Sequence, residues 1–591
     1  MTRAITLTLC AAVAALAWAG PARAANPEAA VLMNKGLEQL DAWDVEAGSA
    51  ALGELLSKYP NTAETSFLRG RVLFEQGRYD EAVKAFQDAQ ERAEAGTAPF
   101  EQHLRLAKNA ADEVRGAKVV ESAHFVFVAK AEKDQLLAPH ALAALEKAWA
   151  ALTQDLGYQP PGKVRLEVYD TPQALARVSP LTVAEIKGSG TIALCKYNRL
   201  MVTSPRALLR GYPWLDTVSH EFVHYLVTRK GHNTVPIWLH EGLAKFLETR
   251  WRGPPGQAVD DLQEALLYKA AKAKELIPFA AMHPSIAKLP TQEKAALAFA
   301  EVEAAMRLLH SRSGQAGLTE LVAAMAAGMT DEQAVAQAYG KSFREFEADW
   351  RAEVARPRGK LAVKLAQNPA ANAAAVKKGA RKLVFKEDVK ERSPGPDGAP
   401  PDGGPHGEES KDPQVRKSAR LGDLLFARRR WVAAALEYGK ARAGLAEEDP
   451  TLARRFAFAE LQSGHTQIAE AALRQAVAKD PGDSSAQILL AEVLLKNGAL
   501  DEAETALEAV VAVDPFDPRL HVIWHQVAVL KKDKPLQQRE QKALALLTGR
   551  PQVVNTGKTA DGRDVVDLTV PRIEEQDASG KTEGKAKDTP P

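Results

Sequence analysis

The sequence predicts a multidomain protein in which a central α+β domain is flanked on both sides by all-α helical-repeat segments. Three observations lead there. Small and aromatic residues recur at helical offsets near both ends, and near the C-terminus they do so with a 34-residue period. The middle of the chain opens on short β-branched and aromatic runs and continues as amphipathic helices. Within those helices two histidines, four residues apart, bracket a glutamate.

At 591 residues the chain is too long for one core. Hydrophobic residues make up 46% and charged residues 26%, as in ordinary globular proteins, and a net charge of +1 argues against a nucleic-acid partner. Arg3, the apolar run from Ile5 to Trp18, the break at Gly20-Pro21 and the small-x-small Ala22-Arg23-Ala24 predict a signal peptide over 1–24. Cleavage is expected after Ala24, which implies a periplasmic or secreted protein. Leu9 is too bulky for the residue that usually precedes a lipidated cysteine, so Cys10 is not read as a lipid anchor. No later stretch has the length and apolarity of a transmembrane segment. Cys195 is then the one remaining cysteine; it cannot form an intrachain disulfide and is expected to pack as a small hydrophobe.

The N-terminal helical segment, 25–115, contains Gly70, Gly77, Tyr79, Ala82, Phe86 and Ala89 at the offsets of a tetratricopeptide repeat (TPR), with a degenerate copy upstream ending at Tyr59-Pro60. In the C-terminal segment, 413–548, Gly464 and Gly498, Ala469 and Ala503, and Pro481 and Pro515 are pairs 34 residues apart. An earlier copy with Gly422, Trp431, Ala434, Tyr438 and Ala441 is offset by one extra residue. Arrays of this kind bind protein partners. Residues 356–412 lose apolar periodicity and read as a flexible linker; the polar stretch 549–591 reads as a disordered tail.

The central domain, 116–355, begins with strands at His124–Ala129 and Val164–Tyr169, separated by a helix over about 139–156. A hairpin is predicted from Thr191–Cys195 and Arg199–Thr203, turning at 196–198, and helices dominate from Pro213 onward. The motif His220-Glu221-Phe222-Val223-His224 lies in one of these helices, among the apolar residues Trp214, Leu215, Val218 and Leu226. Residues four apart on a helix differ by about 40° around its axis, so both imidazoles leave from one face and can share a metal. Glu221, about 100° away from His220, suits a base beside that metal. Asp216, one turn earlier, either orients a ligand or stabilises the helix N-terminus.

A second helix follows, with Pro236-Ile237-Trp238-Leu239-His240-Glu241-Gly242-Leu243-Ala244. Together the two motifs resemble the glutamate-type zincins, and more closely the peptidase MA-like family of bacterial metallohydrolases, over about residues 120–355. The resemblance implies a zincin-like fold and Zn2+ held by His220, His224 and Glu241, with Glu241 as the third ligand. Glu248 lies two turns on along the same helical face and is the alternative. His240 stands where related enzymes often have asparagine, which puts the hydrogen bonding around the ligands in doubt. Related enzymes also use an edge strand to pair with an extended peptide, and the hairpin occupies that place; ordinary sheet structure accounts for it equally well. Gly188 to Ile192 lacks the acidic residue with which aminopeptidases of this group capture the substrate amine.

The expected function is that of an exported zinc metallopeptidase acting internally on peptide or protein substrates, with Glu221 as general base. Tyr225, His232 and Tyr268 are candidates for stabilising the oxyanion. The alternative is a periplasmic TPR scaffold or assembly factor whose zinc domain is non-catalytic and structural.

Overall fold

The structure is a computed structural model. It describes residues 26–93, 98–257, 259–367, 383–388, 410, 412–445 and 449–549, and two short strands at 556–558 and 564–566. The signal-peptide and Cys10 expectations, much of the linker and most of the tail lie outside the described residues. The chain divides into two compact units, the first comprising residues up to Glu391 with 512–514, and the second the rest.

The first unit opens with five helices: α1 (Pro27–Asp41), α2 (Val45–Lys58), α3 (Ala63–Glu75), α4 (Tyr79–Arg92) and α5 (Ala98–Val114). The helix pairs close because small residues sit under large ones. A Cβ on Gly70 would meet the Phe86 ring at 2.6 Å, so α3 and α4 approach as only glycine allows. Trp43 and Gly77 both turn the chain at positive φ, 62° and 73°, one repeat length apart. Glycine does this without cost, whereas Trp43 is held by burial.

A five-stranded sheet follows, built from β1 (Lys118–Glu121), β2 (Phe125–Ala129), β3 (Val164–Tyr169), β4 (Ala193–Lys196) and β5 (Arg199–Thr203), in the order β1-β2-β3-β5-β4. The β2–β3 and β3–β5 pairs are parallel, and the two edge strands are antiparallel to their neighbours. The helix α6 (Ala138–Leu156) makes the crossover from β2 to β3. The strand β1 has no counterpart in the sequence reading; three of its four residues are exposed, so it lacks the apolar alternation that marks a strand. The β4–β5 turn uses Tyr197 and Asn198 at φ of 55° and 56°, the two-left-handed-residue turn that matches strand twist. Two short helices, α7 (Pro172–Val178) and α8 (Val183–Ser189), lead into β4.

The N-terminal helices are welded to this sheet. Glu167 of β3 is fully buried; it accepts hydrogen bonds from Tyr79 Oη of α4 at 2.6 Å and Tyr169 Oη at 2.5 Å, and pairs with Arg199 of β5 at 3.2 Å. The buried Arg199 guanidinium lies 5.0 Å from the ring centres of both Phe74 and Tyr79 and 5.6 Å from that of Tyr197. Burial opposes a charge on Glu167, but Arg199 and Arg165 outweigh it and hold its pKa below the ordinary value.

The remainder is helical: α9 (Trp214–Lys230), α10 (Ile237–Leu247), α11 (Asp261–Ala273), α12 (Gln292–Ala326, broken at Gly314 with φ 64°), α13 (Asp331–Tyr339), α14 (Phe343–Val354) and α15 (Gly359–Gln367). Part of the expected linker, 356–412, is therefore helical. Ala362 and Leu365 of α15 pack with Ala265 of α11, and Phe385 is buried with a bridge to Leu208. The apolar triad Leu361, Ala362 and Leu365 is too short to register as a periodic run.

Among its described residues the second unit contains four helix pairs: α16 (Pro413–Ala427) with α17 (Trp431–Ala443), α18 (Pro450–Gln462) with α19 (Thr466–Lys479), α20 (Ser484–Lys496) with α21 (Leu500–Val511), and α22 (Pro518–Leu530) with α23 (Lys534–Thr548). The turn inside each pair carries one residue at positive φ: Arg429, Gly464, Gly498 and Lys532. The last three recur at 34 residues and the first is one residue out, as the sequence offset requires. Strands β6 (Thr556–Lys558) and β7 (Asp564–Val566) pair within the otherwise undescribed tail. Among the described residues no helix is long and apolar enough to cross a membrane.

Candidate metal centre

The helix α9 is buried on nearly every face, which is why its sequence shows so little polar patterning. Phe222 packs against Phe125 and Trp149, and Tyr225 against Trp43. His220, Glu221 and His224 are thereby brought together, each with one donor atom within 4.8 Å of the others. The chain leaves α9 through a turn with His232 and Asn233 at φ of 48° and 58°, and returns as α10. A Cβ on Gly242 would meet Met306 at 2.9 Å and the carbonyl of Val302 at 3.0 Å, so this glycine allows α10 to lie close to α12, not to α9.

The return of α10 carries Glu241 and Glu248 to opposite sides of His220. Glu241 Oε2 lies 3.4 Å from Nε2 of His220 and 3.2 Å from Nε2 of His224. Glu248 Oε2 instead lies 2.9 Å from Nδ1 of His220, and its other oxygen accepts from Lys245 Nζ at 2.6 Å. Donor atoms placed tetrahedrally at 2.0–2.1 Å around a zinc ion would be about 3.3 Å apart. The Glu241 oxygen stands at about that spacing from each of the two Nε2 atoms. Glu221 has one buried oxygen, Oε2, with no hydrogen-bond partner among the described residues, so the cluster also holds an unsatisfied acceptor.

The charges respond to this crowding. At His220 burial opposes protonation, but hydrogen bonds to Glu241 and Glu248 outweigh it and raise the pKa to about 10. Glu241 moves well below the carboxylate range; burial opposes this, and His224 and His220 prevail. Glu221 is pushed up to about 7 by burial, against the pull of His224 and His220. A cation held beside it would pull it down again.

His240 is fully engaged. Its Nδ1 lies 2.5 Å from Nδ1 of His224 and its Nε2 lies 2.9 Å from Thr228 Oγ1, while burial, then His224, drives its pKa down to about 3. Thr228 is thus a contact that the sequence did not single out, and Glu248, the alternative ligand, meets His220 at Nδ1 instead. Thr228 follows His224 by one helical turn, and that spacing is the one signal that could have found it. Phe299 of α12 meets the His220 ring edge-on at 6.1 Å.

Other expectations fall elsewhere. Asp216 accepts from Trp251 Nε1 at 2.9 Å and from Arg252 at 2.9 and 2.7 Å, and so ties the start of α9 to the segment after α10. Tyr225 is in the core, His232 is exposed in the turn, and Tyr268 packs beside the α11–α15 contact. Cys195 on β4 is half-buried, and burial, reinforced by Glu221, pushes its thiol well above the ordinary range, so it stays protonated. The strand β4 is the sheet edge next to β5, and its other edge carries no partner strand among the described residues.

A family model for the Peptidase MA superfamily matches residues 144–356, and tetratricopeptide-repeat models match 33–99 and 460–522. No curated protein matches the chain. Among solved structures, the APC/C hetero-tetramer Cut9–Hcn1 aligns over 89% of this chain and 80% of that one, at 11% identity and a TM-score of 0.23, too low to support any inference. Residues 144–356 belong to the Peptidase MA superfamily, and tetratricopeptide repeats flank them on both sides.

Proposed function

We propose that this chain is an exported zinc-dependent endopeptidase whose repeats engage protein partners. The single observation that carries the reading is the convergence of both Nε2 atoms on one Glu241 oxygen, beside the unpartnered carboxylate oxygen of Glu221. Glu241 is preferred to Glu221 as the third ligand because one of its oxygens reaches both imidazoles, and to Glu248 because Glu248 faces Nδ1 of His220. Zinc held by His220, His224 and Glu241 would supply Lewis acidity and make a water molecule more acidic. Glu221 then takes the proton of the attacking water at Oε2 and returns it to the leaving amine. Internal cleavage is favoured by the open edge of β4 and by the absence of an acidic residue in Gly188–Ile192. Export rests on the signal-like residues 1–24.

The test is Glu221→Gln in the full chain. Zinc content and thermal stability should be unchanged, while cleavage of an unfolded protein substrate falls by about 10²–10⁴-fold. A variant that cleaves as well as wild type, or a wild type that holds zinc and never cleaves, would leave the scaffold as the better account.

A further inference from the structure

We propose that His240 is a positioning residue for His224, acting through a hydrogen-bond chain of fixed direction that ends on Thr228. The inference rests on the ligand reading above. If His224 offers Nε2 to the metal, as the 3.2 Å approach of Glu241 to that atom implies, its proton is on Nδ1. That nitrogen lies 2.5 Å from Nδ1 of His240. Two N–H groups cannot face each other there, so His240 Nδ1 is the acceptor and its own proton is on Nε2. Nε2 lies 2.9 Å from Thr228 Oγ1, which accepts it. Each group's role follows from the one before, and only one tautomer of His240 satisfies both ends.

The geometry explains why an imidazole suits this position. His224 and Thr228 are one turn apart on α9, and the ring of His240 on α10 presents its two nitrogens to both. An asparagine at this position would offer its carbonyl on a shorter side chain. In this chain Thr228 becomes part of the support. The other ligand is held differently: Nδ1 of His220 donates to a carboxylate, Glu248, which Lys245 neutralises. One ligand therefore has an anionic partner and the other a neutral one.

The full chain should be titrated with zinc against a chromophoric chelator, with imidazole 15N spectra of the zinc-loaded protein as a second readout. His240→Leu should weaken zinc binding by about 10–100-fold and shift the His224 Nδ1 resonance. His240→Asn, which restores an acceptor, should recover most of that loss. Thr228→Val should weaken binding several-fold and Thr228→Ser should not. Unchanged affinity in His240→Leu, or equal losses in His240→Leu and His240→Asn, would overturn the proposal. If His240→Leu does not fold, identical affinities of Thr228→Val and Thr228→Ser would overturn it instead. Glu241→Ala separates this from the ligand reading. Zinc kept in Glu241→Ala sinks that reading, whereas zinc lost there but kept in His240→Leu sinks only the role of His240.

Discussion

Glu301 of α12 is fully buried yet accepts its hydrogen bond from a backbone amide, that of Ile277, at 3.0 Å. Burial raises its pKa from 4.5 to about 8, with the Ile277 amide working the other way. A carboxyl that holds its proton more tightly when folded contributes stability that is fully present below pH 4.5 and is lost as pH rises through about 8. Glu301→Gln keeps the acceptor and cannot ionise. Its urea stability should therefore fall less than that of wild type between pH 5 and 9, by a few kcal/mol at the alkaline end. Parallel profiles for the two proteins would show that Glu301 ionises without consequence. At this scale the HExxH motif was legible in the sequence because i, i+4 spacing is a local property of a helix. The choice between Glu241 on α10 and Glu248 just past its end was not, since the two lie two turns apart on one helical face and only packing decides that Glu241 meets Nε2 of both histidines while Glu248 meets Nδ1 of His220.

Between elements, the contact that most constrains the first unit is that of the N-terminal helices with the sheet. Tyr79 was legible as a repeat position, and nothing in its spacing announces that its hydroxyl closes on Glu167, 88 residues away. Removing one partner of a buried ion pair leaves the other uncompensated, at about 3–5 kcal/mol. Glu167→Gln should destabilise the first unit by about that much, whereas Tyr79→Phe, which loses a hydrogen bond, should cost about 1–2 kcal/mol. Thermal melts and limited proteolysis at the α5–β1 junction would report both. A Glu167→Gln protein with wild-type melting would mean that the helices merely rest on the sheet. By the same argument, a fragment beginning near residue 116 would leave the Arg199 cage open on the Phe74 and Tyr79 side, so the central domain is best prepared with its N-terminal helices. The repeat turns teach a related lesson. Glycine marks the left-handed turn at 77, 464 and 498, but Trp43, Arg429 and Lys532 adopt it too, and there the backbone period outlasts the sequence signature.

For the whole molecule, the proposed export makes a direct prediction: the mature protein should begin at Ala25, and a chain lacking residues 1–24 should stay in the cytoplasm. N-terminal sequencing that finds Met1 on the mature protein would defeat it. The sequence by itself determined the multidomain plan, the 34-residue repeats and the helix that carries His220, Glu221 and His224, because each is written in local periodicity or in side-chain chemistry. Tertiary structure decided which side of His220 each glutamate meets, that His240 meets both His224 and Thr228, that β1 joins the sheet, and that α15 belongs to the first unit. Those outcomes depend on how elements distant in sequence pack against one another, and a periodic pattern reports which face of a helix is buried without saying what it is buried against.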